Sequence, residues 1–473
     1  MRRKISAILL LAMMVPSFLW AREEGVKSTL SDQEALSITI YNSNLGLVKD
    51  TRAISLPKGV TELKFMDVAS QINPTTVHIK SLTDPLGLNI LEQNYEYDLL
   101  SPEKLMEKFV GKTVKIKEKN YYTGKEEIYN AKLLSVNNGP IFQVGNEIYA
   151  YAPGQVIYPE IPENLIAQPT LVWLLENELA KAQKIEISYL TGGISWKADY
   201  VTVLNKDDNA ADVSGWVTID NKSGATYKDA AIQLVAGDVN RVAQPEMRYK
   251  GEMDFAGAVA KESAFKEESF FEYHLYTLDR TSTIKQNQTK QISLLEAMNV
   301  PVRKELIFWG AEYYYRNSYG QPISNQKVGV YINIDNKKEN HLGMPLPKGI
   351  IRVYKTDPRG SLQFIGEDSI DHTPKDETIK IKMGEAFDVI GERKQTDFKV
   401  VSSNVYEIAW QISLRNHKDA DTKVSIIEPV PGDWKLLQSS HKAEKVEAHT
   451  LKYVVNVPKN EETKIEYRVR IKW

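Results

Sequence analysis

A period of two narrows the fold more than any other feature of this chain. From Ser37 to the terminus, apolar and polar residues alternate over short runs, and Gly, Pro, Asn or Asp breaks each run. The ending Lys464-Ile465-Glu466-Tyr467-Arg468-Val469-Arg470-Ile471-Lys472-Trp473 alternates throughout. Successive side chains of a strand point to opposite faces, so each run buries one face and wets the other. Many such runs between turns predict antiparallel sheets packed as sandwiches.

The expected class is therefore all-β: multi-domain antiparallel β-sandwiches, immunoglobulin-like, with a small inserted β-barrel module. At 473 residues the chain exceeds one compact core. The runs divide it into an N-terminal β-domain at 35–100, a barrel-like insert at 101–160, a central sandwich region at 165–395 and a C-terminal immunoglobulin-like sandwich at 396–473. The insert carries one helix at Pro102 to Val110, with Ser101 as N-cap and Pro102 at the first helical position. Four prolines between Pro153 and Pro169 predict an extended linker. Residues 243–268 are rich in charge, Ala and Met, and read as a surface excursion with a short helix around Ala256 to Phe265. Asp357-Pro358-Arg359-Gly360 marks a hairpin. Trp216-Val217-Thr218-Ile219-Asp220-Asn221 is echoed by Gln411-Ile412-Ser413-Leu414-Arg415-Asn416, each a half-buried strand ended by Asn.

Residues 1–21 predict a secretory signal peptide. Arg2, Arg3 and Lys4 precede the apolar run Ile5 to Val15, and Ala21 is the expected cleavage point. The run is too short to span a bilayer. The whole chain has 60 basic and 62 acidic residues; without those three cations 57 face 62, a net charge of -5. That balance argues against nucleic acid as a partner. No later stretch is apolar enough to cross a membrane, so the expected mature protein is exported and lacks a transmembrane span. The absence of cysteine excludes disulfides, thiolate metal sites and cysteine nucleophiles.

The search for chemistry gives few candidates. Val110-Gly111-Lys112-Thr113 ends like a phosphate loop, but Met106 stands where the loop needs Gly. No nucleophile elbow or zinc-protease helix motif occurs. Asp368-Ser369-Ile370-Asp371-His372 gathers two carboxylates and an imidazole, but carboxylates in a turn before Pro374 are ordinary turn chemistry. No catalytic residue, metal ligand or cofactor is assigned. The candidate binding patch is Trp309, Tyr313, Tyr314, Tyr315 and Tyr319, whose flat faces and polar tips suit a sugar ring or a protein partner. The competing reading is strand filling, although three consecutive tyrosines of a strand cannot share one core.

Tyr189-Leu190-Thr191-Gly192-Gly193-Ile194-Ser195-Trp196-Lys197-Ala198-Asp199-Tyr200 begins a series of motifs. It continues through Ser214 to Gly224, Leu234 to Asn240, Gly366 to Pro374, Gly384 to Val389 and Tyr467 to Trp473. Together they resemble the uncharacterised bacterial domain family that also forms the C-terminal half of mucoidy-inhibitor-type proteins. The resemblance implies an exported or envelope-associated β-rich protein and no reaction. The long coiled-coil-like segment that precedes the shared domain in mucoidy-inhibitor proteins is missing from this sequence. The expected function is that of a non-catalytic envelope protein, periplasmic or extracellular in a bacterium, binding a protein or glycan or serving a structural role. The alternative is a carbohydrate-active or other hydrolase whose carboxylates come from distant residues.

Overall fold

The computed structural model describes residues 25–473 apart from 120–121, 153, 163–164, 238 and 241–264. The leader at 1–21 and most of the 243–268 excursion, including the helix expected around Ala256, lie outside the described residues. Phe265, the last residue of that expected helix, opens the strand Phe265–Phe270 instead. Strands dominate the described residues, as the alternation requires.

The chain forms two compact units. One takes its described residues up to Ala35 together with Asp50–Ser70 and Pro74–Ser188. Within it, Val26–Ser28, Gly59–Phe65, Thr170–Asn177 and Leu88–Glu96 form one sheet in that order. A buried arginine organises its core. Arg52 binds Asp50, donates to the carbonyls of Ser28 and Met66, and lies 3.5 Å over the Phe65 ring. Burying a charge is costly unless it is paired and hydrogen-bonded in this way.

The insert of this unit has the expected helix, α1 (Pro102–Phe109). The Ser101 hydroxyl accepts from the Lys104 amide at 3.1 Å and satisfies one of the free N–H groups of the first turn. The expected barrel is corrected to an open sheet. Five strands lie in the order Glu147–Ala150, Ile141–Val144, Glu126–Ser135, Thr113–Lys119, Gln155–Ile157. Closure needs the first and last strands to pair. These are only four and three residues long, and among the described residues each pairs with its inner neighbour alone. Phe109 of α1 joins Val114, Ile116, Leu133 and Phe142 in the core, so a helix covers the face that closure would have buried. Gln155–Ile157 also corrects the expected linker, because it is a strand paired with Lys115–Lys117.

The other unit comprises Leu36–Lys49, Gln71–Asn73 and Tyr189–Trp473. Its main strands are β1 (Ile194–Leu204), β2 (Ala210–Asn221), β3 (Gln288–Trp309), β4 (Ile323–Asp335), β5 (Gly349–Thr356), β6 (Leu362–Ile370), β7 (Thr378–Ser402), β8 (Val405–Asn416), β9 (Thr422–Pro429), β10 (Asp433–Ser439), β11 (Thr450–Val457) and β12 (Glu462–Lys472). They hydrogen-bond in the order β6-β5-β1-β2-β3-β4-β7-β8-β12-β10. Strand β3 is 22 residues long. Its first part pairs with β2 and its second with β4, so it carries the chain from one half of the sheet system to the other. Near its end it also runs parallel to β9, which pairs with β11.

Local signals are realised as the sequence predicts. The Asp357 carboxylate accepts from the amides of Arg359 and Ser361, closing the β5–β6 hairpin. The echoed strands end in the same device. Buried Asn221 and Asn416 each accept from the amide two residues on and donate to the carbonyl four residues on. An amide side chain thereby replaces the missing ladder partners where each strand ends.

A candidate binding face on the second unit

Strands β3, β4 and β7 present an outward face whose residues follow from register. Arg303 pairs with Asn333 and Glu305 with Tyr331 across β3–β4, and Asn333 pairs with Lys380 across β4–β7. The aliphatics Val328, Ile332 and Ile334 of β4 are buried on the opposite face, so the alternation turns Tyr331, Asn333 and Asp335 the other way.

Trp309 closes β3 and is 48% exposed. Its indole N–H donates to the Tyr331 hydroxyl at 3.1 Å. The Tyr331 ring lies over Gly329, where a Cβ would stand 2.8 Å from the ring; glycine lets the ring lie flat against the backbone. The Lys380 ammonium sits 4.8 Å from the Tyr331 centroid and 5.7 Å from that of Trp309, a cation–π arrangement.

A polar array borders these rings. Glu305 accepts from Ser425 at 2.9 Å and from Asn333 at 3.3 Å, with Lys380 and Lys452 each 3.8 Å away. Arg303 grips Asp335 with two N–H groups, and Thr378 donates to the same carboxylate at 2.7 Å. The Arg303 bonds, then that of Thr378, hold the Asp335 carboxyl well below the usual range. Two aromatics set among fixed planar amide, carboxylate and guanidinium groups form a surface that can stack a ring and direct hydrogen bonds to its hydroxyls.

The remaining patch tyrosines go elsewhere. Glu312–Tyr315 is a 3-10 turn rather than a strand, and it sorts three consecutive tyrosines differently. Tyr313 is 57% exposed, whereas Tyr314 and Tyr315 are buried. Tyr319 is partly buried against the same core. Tyr314 packs on Tyr313, Tyr319 and Trp410, and its hydroxyl accepts from Gln326 at 2.9 Å.

Tyr315 enters a buried ionic cluster that the sequence did not reveal. Its hydroxyl donates to Glu428 at 2.8 Å, as does that of Tyr467 at 2.9 Å. Arg393 donates to the same oxygen at 2.7 Å, and both ionic side chains are fully buried. The guanidinium lies over the rings of Phe308 and Tyr314, 5.1 and 4.8 Å from their centroids. Burial and then the Glu428 charge push both phenols well above their ordinary range, so they remain donors. Fully buried, the cluster supports the turn that follows Trp309.

The Asp368–His372 segment is engaged locally. Asp368 accepts from the amides of Ser369 and Lys382, and the His372 ring accepts from the Lys348 amide. Among the described residues, no group of three His, Asp or Glu side chains could hold a metal ion, and no helix is long and apolar enough to cross a membrane.

Of the residues on this face, Trp309 is among those the sequence singles out, whereas Tyr331, Lys380 and Glu305 come beside it only through strand register. The signal was present in the amphipathic runs at Val328–Ile334 and Thr378–Met383, whose non-aliphatic faces hold Tyr331 and Lys380. No curated protein matches the chain. The model of one family, described as a domain of unknown function (DUF4139), matches residues 185–473 and so takes in Trp309, Tyr331 and every strand from β1 to β12. The chain belongs to the DUF4139 family.

Proposed function

We propose that this is a non-catalytic exported envelope protein that binds a glycan on the face formed by Trp309, Tyr331, Lys380 and Glu305. The observation that carries the reading is the half-exposed Trp309 indole, fixed by Tyr331 and bordered by directed polar groups. A large aromatic in that setting loses little conformational freedom on binding and offers a flat face to a pyranose ring. The basic-then-apolar leader at 1–21 supports export to the periplasm or the cell exterior of a bacterium. The resemblance to the domain shared with mucoidy-inhibitor-type proteins supports an envelope role.

The test is co-sedimentation with purified insoluble envelope glycan. Wild-type protein is expected in the pellet and Trp309→Ala in the supernatant, with the two unfolding at the same temperature. Equal sedimentation of both contradicts the reading. Tyr313→Ala serves as the control for a second exposed aromatic.

A further inference from the structure

The opposite face of β3 and β4 carries a second feature. A cleft of about 280 Å³ opens where β3 passes between the two halves of the sheet system. Lys304 of β3 and Ile332 of β4 are register partners on its wall, beside Val330 and Met383. Asp208, in the turn between β1 and β2, receives Lys304 on one oxygen at 2.8 Å and Lys355 of β5 on the other. Lys355 also donates to the Lys206 carbonyl at 3.0 Å. Burial pushes the Asp208 carboxyl up, but the hydrogen bonds from the two lysines outweigh it and hold the pKa below its ordinary value. Asp208 is thus a fixed negative charge that positions two amines, not a proton donor.

Each ammonium carries three N–H groups. Counting bonds among the described residues, Lys304 keeps two donors and Lys355 keeps one. Lys418, in the turn after β8, lies within electrostatic reach of Lys304 and Asp208, and burial followed by the Lys304 charge lowers its pKa. Among the described residues it makes no ion pair. Gly384, at φ +133°, lines the cleft with nothing within 4 Å of the place a Cβ would take, so the space is open. Glu385 lines the cleft and Asp388 lies near Lys418. Charge is therefore close to balanced overall, and an anion would be met locally by the charged N–H donors of the two ammonium groups. The volume falls just below the range typical of drug-sized ligands, which suits a single small molecule.

We propose that this cleft binds a small organic anion, a phosphate or carboxylate on a sugar-sized body, through the unused N–H donors of Lys304 and Lys355. The apolar wall of Val330, Ile332 and Met383 takes the body of the ligand. The inference is independent of glycan binding at Trp309, which lies on the other face of the same strands.

Titration calorimetry at low salt on the full chain tests it, with glucose 6-phosphate, glucuronate and glucose as probes and inorganic phosphate as competitor. At least one anionic sugar is expected to bind while glucose does not. The Lys304→Met/Lys355→Met variant should weaken binding by about tenfold or more, since it removes the charged hydrogen bonds of both ammonium groups. High salt should weaken the wild-type signal in the same direction. Binding of the phosphate ester alone assigns a phosphate group, and of glucuronate alone a carboxylate. Failure of both anions to bind overturns the proposal, as does equal binding of glucose or salt-independent binding. Trp309→Ala is expected to bind the anion as wild type does, which separates this result from the fate of the glycan face.

Discussion

Deleting Glu466–Trp473 is expected to leave no soluble, cooperatively folding protein. The deleted residues form most of β12, which lies between β8 and β10 and pairs with both. Tyr467, Val469 and Ile471 are buried in the core beside Trp410 and Tyr453. Burying a large apolar side chain contributes about 1.5–3 kcal/mol, so these three together are comparable with the whole margin of about 5–15 kcal/mol that holds a domain folded. The deletion also exposes the inner edges of β8 and β10, whose unpaired backbone groups would be open to pairing with other chains. Soluble yield and a circular-dichroism melt read the outcome. A cooperative transition at the wild-type midpoint would contradict the placement of β12.

Glu428→Ala is expected to be the most damaging single substitution outside the backbone. It leaves the Arg393 guanidinium fully buried without its counter-ion and removes the acceptor shared by Tyr315 and Tyr467. Breaking a buried pair by deleting one partner costs about 3–5 kcal/mol. The double variant Arg393→Met/Glu428→Leu should recover a large part of that loss, because it removes both charges together. Recovery stays incomplete because the two phenols, 2.8 Å apart, keep only each other as partner. Denaturant unfolding of the two variants checks the order. A Glu428→Ala protein as stable as wild type, or a double variant less stable than the single, would contradict the account of the cluster.

What was legible in the sequence is what short-range chemistry decides. The Ser101 cap with Pro102 marked α1, the Asp357 turn marked the β5–β6 hairpin, and the two Asn-ended strands proved to share one device. Each depends on residues within a few positions of one another. What was not legible depends on register between strands far apart in the chain. Arg393 and Glu428 are 35 positions apart, and Lys355 lies 147 positions beyond Asp208; nothing in the alternation says that they meet. The tyrosines at 313–315 do not all face one core, but they lie in a 3-10 turn rather than a strand, so side-chain direction there follows a period of three that the alternation does not show. The barrel was misjudged because strand count does not reveal whether the two outer strands are long enough to close.

The proposed glycan face rests on Trp309 more than on any other residue. The direct measurement is the proton–nitrogen spectrum of the tryptophan indoles during titration with soluble fragments of envelope glycan. The Trp309 resonance, assigned by its loss in Trp309→Phe, is expected to shift progressively and saturate. Those of the buried Trp173, Trp196 and Trp410 are expected to hold their positions. An unmoved Trp309 resonance at saturating glycan, or shifts confined to the other indoles, would contradict the assignment.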